Sequence, residues 1–308
     1  MYDKVRTRVL LLSSYFMNPY IQQEGYQLLS RGAAFLIHTP GVMGKCNHIV
    51  TAGHIPLPHH YSQYYYLGEK HEWLQDFVQD EYIQCHVQNL VPPSRSNNRQ
   101  RIGGRKGLAD LFGTKKKDYS YKQDEDQLSY GELAPKWDPI MEMEQGLFDD
   151  TTKFELENHV YKHEKLDLAI LHLKDDMSSL LPLSCSTEEL MAGQPLEFHG
   201  FDIQNSGTES ERICYRHHDG ELWTFKNDRL WGKSDDKLMY GMCGGPVVID
   251  STQCVGMIEG VLKSDNSIVS LIDMGTIYEF IEDIKEDLEN RYCDPFDEHI
   301  YDRENYWQ

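Results

Sequence analysis

Three short segments hold side chains able to do covalent chemistry. Ile49-Val50-Thr51-Ala52-Gly53-His54 ends an apolar run on an imidazole, and Lys165-Leu166-Asp167-Leu168-Ala169-Ile170-Leu171 places one carboxylate in an otherwise apolar stretch. Gly241-Met242-Cys243-Gly244-Gly245-Pro246-Val247-Val248 sets a thiol among glycines. A thiol is a weak nucleophile until it loses its proton, and a neighbouring imidazole can take that proton. A carboxylate buried in an apolar strand is costly unless it is paired, so Asp167 calls for a partner. Glycines around Cys243 let the backbone turn tightly with its amides pointing one way. Taken singly, a histidine after a β-like run is usually an ordinary core or surface residue. The glycine-framed cysteine is the more specific signal.

The elements that must position these groups read mostly as short strands. Ala33–His38, Asn47–Thr51, Leu166–Leu173, Leu196–His199, Pro246–Ile249, Cys254–Ile258 and Ile268–Ile272 are apolar or β-branched runs separated by Gly, Pro and Asn. Such punctuation predicts an all-β barrel or sandwich. One helix is expected from Thr276. Ile277, Phe280, Ile281, Ile284 and Leu288 recur on one face of a 3.6-residue period. Thr276 as N-cap with Glu279 three residues on would make a capping box. A weaker helical candidate runs from Pro19 to Leu29. The stretch 92–153 breaks the strand pattern and reads as an insertion. Within it, residues 94–117 carry eight basic side chains against one acidic, in a chain of formal net charge −20. A charge run of this kind calls for an acidic surface, a protein partner or RNA to meet it.

At 308 residues, 40 % hydrophobic and 26 % charged, the composition is globular. The acidic balance argues against a protein whose surface is a nucleic-acid footprint. No apolar run approaches the ~20 residues of a spanning helix, and no secretory signal is evident. Seven cysteines, an odd number without a CxxC pair, fit neither a disulfide framework nor a zinc motif. A reducing intracellular compartment, cytoplasm or mitochondrion, is expected. Cys46, His48, His54, His59 and His60 cluster in sequence but match no zinc spacing, so no metal and no cofactor are expected. Gly103-Gly104-Arg105-Lys106-Gly107 lacks the spacing of a phosphate-binding loop.

In their order, the three chemistry-bearing segments resemble the signatures of the chymotrypsin/trypsin-like peptidases (PA clan). Those signatures are a histidine after Thr-Ala, an Asp-apolar-Ala-apolar-Leu strand, and a Gly-x-nucleophile-Gly-Gly-Pro loop. The glycine-aromatic turn Phe198-His199-Gly200-Phe201 and the final helix add to a resemblance that spans roughly residues 31–290. The resemblance implies two six-stranded antiparallel β-barrels with a C-terminal α-helix. It implies His54 as base and later acid, Asp167 fixing its tautomer, and Cys243 as nucleophile. The N–H groups of Gly241 and Cys243 would form the oxyanion hole. The domains expected are an N-terminal extension (1–30), a first barrel with His54 and Asp167 (31–175), a second barrel with Cys243 (176–275), and a helix with an acidic aromatic tail (276–308).

The departures from that pattern narrow the branch. Cysteine stands where most members have serine, as in the viral 3C-like branch. Met242 stands where secreted members have the aspartate that pairs with a newly cut N-terminus, so zymogen activation is not expected. Ile55 replaces a disulfide cysteine, and the pattern is nearest the disulfide-free intracellular branch. Lys237, six positions before Cys243, stands where the family's specificity pocket has its floor and would favour an acidic substrate side chain, unless it points to solvent. The expected function is a trypsin-like endopeptidase acting on peptide or protein substrates. The alternative is a catalytically silent protease-fold subunit of a larger assembly, docked through 94–117 and the C-terminal tail.

Overall fold

The computed structural model describes residues 3–17, 26–39, 47–61, 78–90, 152–174, 180–204, 211–226 and 229–288. The basic segment 94–117 and the tail beyond 288 lie outside them. After a single helical turn, α1 (Asp3–Arg6), the first sheet takes β1 (Val9–Phe16), β2 (Gln27–His38), β3 (Asn47–Thr51), β4 (Ile83–Asn89), β5 (Thr152–Glu155), β6 (Tyr161–Lys162) and β7 (Ala169–Leu171). Their spatial order is β5-β4-β1-β2-β3-β7-β6. The sheet curls until the chain just after β5 meets the chain just after β7 at one bridge, Leu156 with Leu173, flanked by Glu157 N–H bonded to the His172 carbonyl at 2.9 Å.

The second sheet takes β8 (Ser184–Cys185), β9 (Pro195–Gln204), β10 (Arg212–Lys226), β11 (Arg229–Ser234), β12 (Pro246–Ile249), β13 (Gln253–Val261) and β14 (Ile268–Asp273). Its order is β12-β9-β10-β11-β14-β13-β8, and β12 also pairs with β13. That pairing closes a six-stranded antiparallel barrel, with β8 added in parallel outside the ring. The fold is therefore all-β, with one closed barrel and one curled sheet joined by a single bridge.

Several expectations need correction. The stretch 1–30 is not an extension, because β1 is an inner strand between β2 and β4. Every residue of β1 is buried, so its continuous apolar run is that of a strand covered on both faces rather than one of alternating exposure. Gln27–Leu29, expected as the end of a helix, opens β2, and its pairing with Phe16 and Tyr15 fixes it as strand. The remainder of that helical candidate, 19–25, lies outside the described residues. The final helix, α2 (Met274–Asp283), is capped by Asp273 and not by Thr276. Asp273 leaves β14 extended, and its carboxylate accepts the Thr276 N–H at 2.9 Å and the Thr276 hydroxyl at 2.8 Å.

The closed barrel is filled by Leu196, Phe198, Leu222, Met242, Val247, Ile258 and their neighbours. Phe198 sits at its centre. A Cβ added at Gly220 or at Gly232 would come within 2.8 Å of the Phe198 ring, so both glycines leave room for it. Truncating Phe198 to Ala removes a wholly buried ring that two backbone segments have been shaped around. The expected cost is about 3–5 kcal/mol. It is read as a lower denaturant midpoint with unchanged slope, and a loss under 1 kcal/mol would contradict this packing.

Candidate active site

His54 lies in the turn that follows β3. Ile55 N–H bonds the Ala52 carbonyl and Leu57 N–H the Gly53 carbonyl, each at 3.1 Å, which holds the ring where β3 ends. Asp167 lies in the bend just before β7 and not within a strand as the apolar pattern suggested. The bend is shaped by His163, whose Nδ1 accepts the N–H groups of Lys165 (3.1 Å) and Leu166 (3.0 Å). Asp167 grips His54 twice: Oδ2 is 2.6 Å from the ring Nδ1, and Oδ1 accepts the His54 backbone N–H at 2.8 Å. The imidazole can thus rotate little, and its Nε2 faces away from the carboxylate.

Cys243, 4 % exposed, follows the 3₁₀ turn Tyr240–Met242, and its thiol is close enough to the His54 ring to help raise the His54 pKa. The glycines after it are required by contact. Gly244 has φ +80°, and a Cβ there would meet the Ala33 carbonyl oxygen at 2.1 Å and the Thr51 hydroxyl at 2.5 Å. At Gly245 a Cβ would lie 1.9 Å from the His199 carbonyl oxygen. The Cys243 carbonyl accepts the Ala33 N–H at 2.9 Å, so the thiol loop of the closed barrel is bonded directly to β2 of the curled sheet.

The electrostatics favour a charged imidazole. Burial pushes the His54 pKa down, but the Asp167 hydrogen bond and charge, with a further contribution from the Cys243 thiol, outweigh it and raise it to about 10. Tyr61, edge-on to the His54 ring at 6.4 Å, has its hydroxyl pressed over Gly53. Burial and the Asp167 charge keep that hydroxyl protonated.

One participant left no signal in the sequence. Glu259, on β13 and 3 % exposed, accepts the Asp167 backbone N–H at 3.2 Å. It also pairs with the Arg229 guanidinium and accepts the Ser270 hydroxyl. The closed barrel thereby holds the backbone of Asp167 through a fully partnered carboxylate. Beside it opens a cavity of about 520 Å³ lined by Asp167, Glu259, Arg229, Trp231, Lys162 and Tyr61 among others, and not by His54 or Cys243.

The remaining sequence candidates disperse. Cys46 lies outside the described residues. His48 points into the curled sheet, where its ring nitrogens meet Thr39 (2.7 Å) and His172 (2.9 Å), and burial, then the His38 charge, lower its pKa to about 4. His59 and His60 both turn to Asp80. Lys237 is exposed, with Asp265 among its charged neighbours. Among the described residues Cys85, Cys185, Cys214, Cys243 and Cys254 are free thiols.

Two antiparallel β-units, one a closed six-stranded barrel and the other a curled sheet, followed by one helix, have the architecture of the chymotrypsin type of fold. No protein-family model and no curated protein matches the chain. Among solved structures it is similar to the Rv3671c protease of M. tuberculosis. The active form matches at 12 % identity and a TM-score of 0.46, over 91 % of this chain and 82 % of that one. The Ser343Ala mutant of the same protein, an inactive form, matches at 12 % identity and a TM-score of 0.46, over 92 % and 89 %. A likeness at this level bears on neither chemistry nor substrate.

A raised folded-state pKa means that His54 contributes stability in full below its unfolded value near 6.5, and that the contribution is lost as pH rises through about 10. In protein labelled with carbon-13 histidine, the His54 ring should stay protonated through neutral pH, and Asp167→Asn should move its titration markedly lower. A wild-type transition at 6.5 or below would contradict the assigned electrostatics.

Proposed function

We propose that the chain is a trypsin-like endopeptidase with Cys243 as nucleophile, His54 as proton carrier and Asp167 as the group that orients it. One observation supports this above the others. His54 is clamped by both oxygens of Asp167, and the Cys243 thiol lies near enough to add to the rise in the His54 pKa. Ordinary packing does not need a buried carboxylate, an imidazole and a thiol gathered in one place.

The reaction then runs as follows. The Cys243 sulfur attacks the scissile carbonyl carbon, its proton having passed to His54 Nε2. The carbonyl oxygen takes negative charge and is met by the N–H groups of Gly241 and Cys243, each donor of this kind being worth roughly 3–4 kcal/mol. His54 returns the proton to the leaving amine, the C–N bond breaks and a thioester remains. Water, deprotonated by His54, attacks the thioester, and the acid product leaves as the thiol re-forms. Asp167 keeps the proton on Nδ1 throughout, so that Nε2 is the nitrogen that exchanges it. Met242 is buried in the closed barrel and forms no ion pair with a cleaved N-terminus, in keeping with an enzyme that needs no cut to become competent. The free thiols of the described cysteines suit a reducing compartment.

The test is labelling with a peptide bearing a thiol-reactive electrophile, followed by mass-spectrometric mapping. Cys243 should react far faster at neutral pH than the exposed Cys214, which serves as an internal reference. His54→Ala should slow Cys243 labelling by about 100-fold or more and leave Cys214 unchanged. Equal, slow labelling at both cysteines would replace this reading with the catalytically silent subunit. The basic segment 94–117 is proposed as a docking element for an acidic partner. Deleting it should abolish salt-sensitive co-purification of that partner while Cys243 labelling persists.

A further inference from the structure

A second group of ligand-type side chains lies outside the His54–Asp167–Cys243 site. The Nε2 atoms of His59 and His60 both point at one oxygen of Asp80, at 2.7 and 2.8 Å, and the three donor atoms lie within 4.8 Å of one another. The two rings are 4.3 Å apart and tilted by 51°, so neither blocks the other's approach to the shared point.

The residues are held by short turns. Pro58–His60 is a 3₁₀ turn opened by a proline and closed by the Tyr61 N–H on the Pro58 carbonyl at 3.1 Å. Asp80–Tyr82 is another, closed by the Tyr82 N–H on the Gln79 carbonyl at 3.1 Å, and it runs directly into β4. The His59 side chain is only 10 % exposed, against 35 % for His60 and 59 % for Asp80, so one ligand is built in and the site is open on its outer side.

We propose that His59, His60 and Asp80 form a binding site for a divalent transition-metal ion, of which Zn²⁺ is the best match. Two imidazole nitrogens and one carboxylate oxygen are the donor set of zinc sites that leave a fourth position to water, and imidazole is a poor ligand for Mg²⁺ or Ca²⁺. The present Nε2–Oδ1 separations are those of shared protons. A tetrahedral ion with ligands at about 2.0–2.1 Å needs them roughly half an ångström wider, which the exposed Asp80 carboxylate can give by rotating. Binding replaces the bridging protons with the ion and so releases them.

The sequence reading missed this because the third ligand is supplied from 20 positions beyond the histidine pair. The inference does not depend on the proposed peptidase activity, since none of the three ligands touches Cys243.

The test uses the purified full chain. Equilibrium dialysis should find one tightly held Zn²⁺ per chain, weakened by about tenfold or more in His60→Ala and in Asp80→Asn. Titration with Co²⁺ should give visible d–d bands without the near-ultraviolet thiolate-to-cobalt band, since no sulfur is involved. Circular dichroism establishes that each variant is folded. As a check that needs no variant, Zn²⁺ added to nitrogen-15-labelled wild type should shift the Nε2 resonances of two imidazoles. Absence of stoichiometric binding, a thiolate band, wild-type affinity in both variants, or no imidazole shift would each overturn the proposal.

Discussion

The two halves of the molecule are registered by a backbone contact too close for any side chain. Gly244 lies against the Ala33 carbonyl, the Thr51 hydroxyl and the Ala52 amide, while the Cys243 carbonyl takes the Ala33 N–H. Thr51 tightens the same spot by donating to the Ala33 carbonyl at 2.8 Å. β2, the end of β3 and the thiol loop thus form one junction. Because His54 follows Thr51 by three residues and Cys243 precedes Gly244 by one, fixing this junction fixes the imidazole relative to the thiol. A methyl group here would displace backbone rather than a pliant side-chain end, and densely packed interiors accommodate such shifts poorly.

A second tie works through charge. Asp167 has its side chain committed to His54 and its backbone N–H committed to Glu259 of the other sheet. Two buried carboxylates so near each other would be unfavourable alone. The arrangement holds because Asp167 faces the His54 ring, while Glu259 faces Arg229 and the Ser270 hydroxyl. The position of the Asp167 carboxylate is therefore set by residues of both sheets.

The sequence made some of this legible and hid the rest for identifiable reasons. β3 and β12 coincide with the apolar runs Asn47–Thr51 and Pro246–Ile249, because each is short, apolar and bounded by turn residues. β1 was obscured because a strand buried on both faces has no alternation to read. β10 was missed because its fifteen residues are largely polar and half-exposed, so it is held by its partners β9 and β11 and not by its own pattern. The helix was clear from its period, but its cap was displaced because Asp273 and Thr276 are both good capping types and only geometry separates them. His54, Asp167 and Cys243 stood out through local patterns of glycine and apolar neighbours. Glu259 and Asp80 did not, since an acidic residue acquires meaning only from partners brought to it across the chain.

The junction between Ala33 and Cys243 has a consequence for how the chain matures. Its partners are separated by about 210 positions, so the loop between them must close before the bond exists. A nascent or partly folded chain, with only the curled sheet in place, carries an imidazole already gripped by its carboxylate but no thiol opposite it. The cysteine meets that imidazole only once the two sheets have packed together. The pairing of thiol and imidazole is thereby a property of the completed tertiary structure and not of either sheet alone.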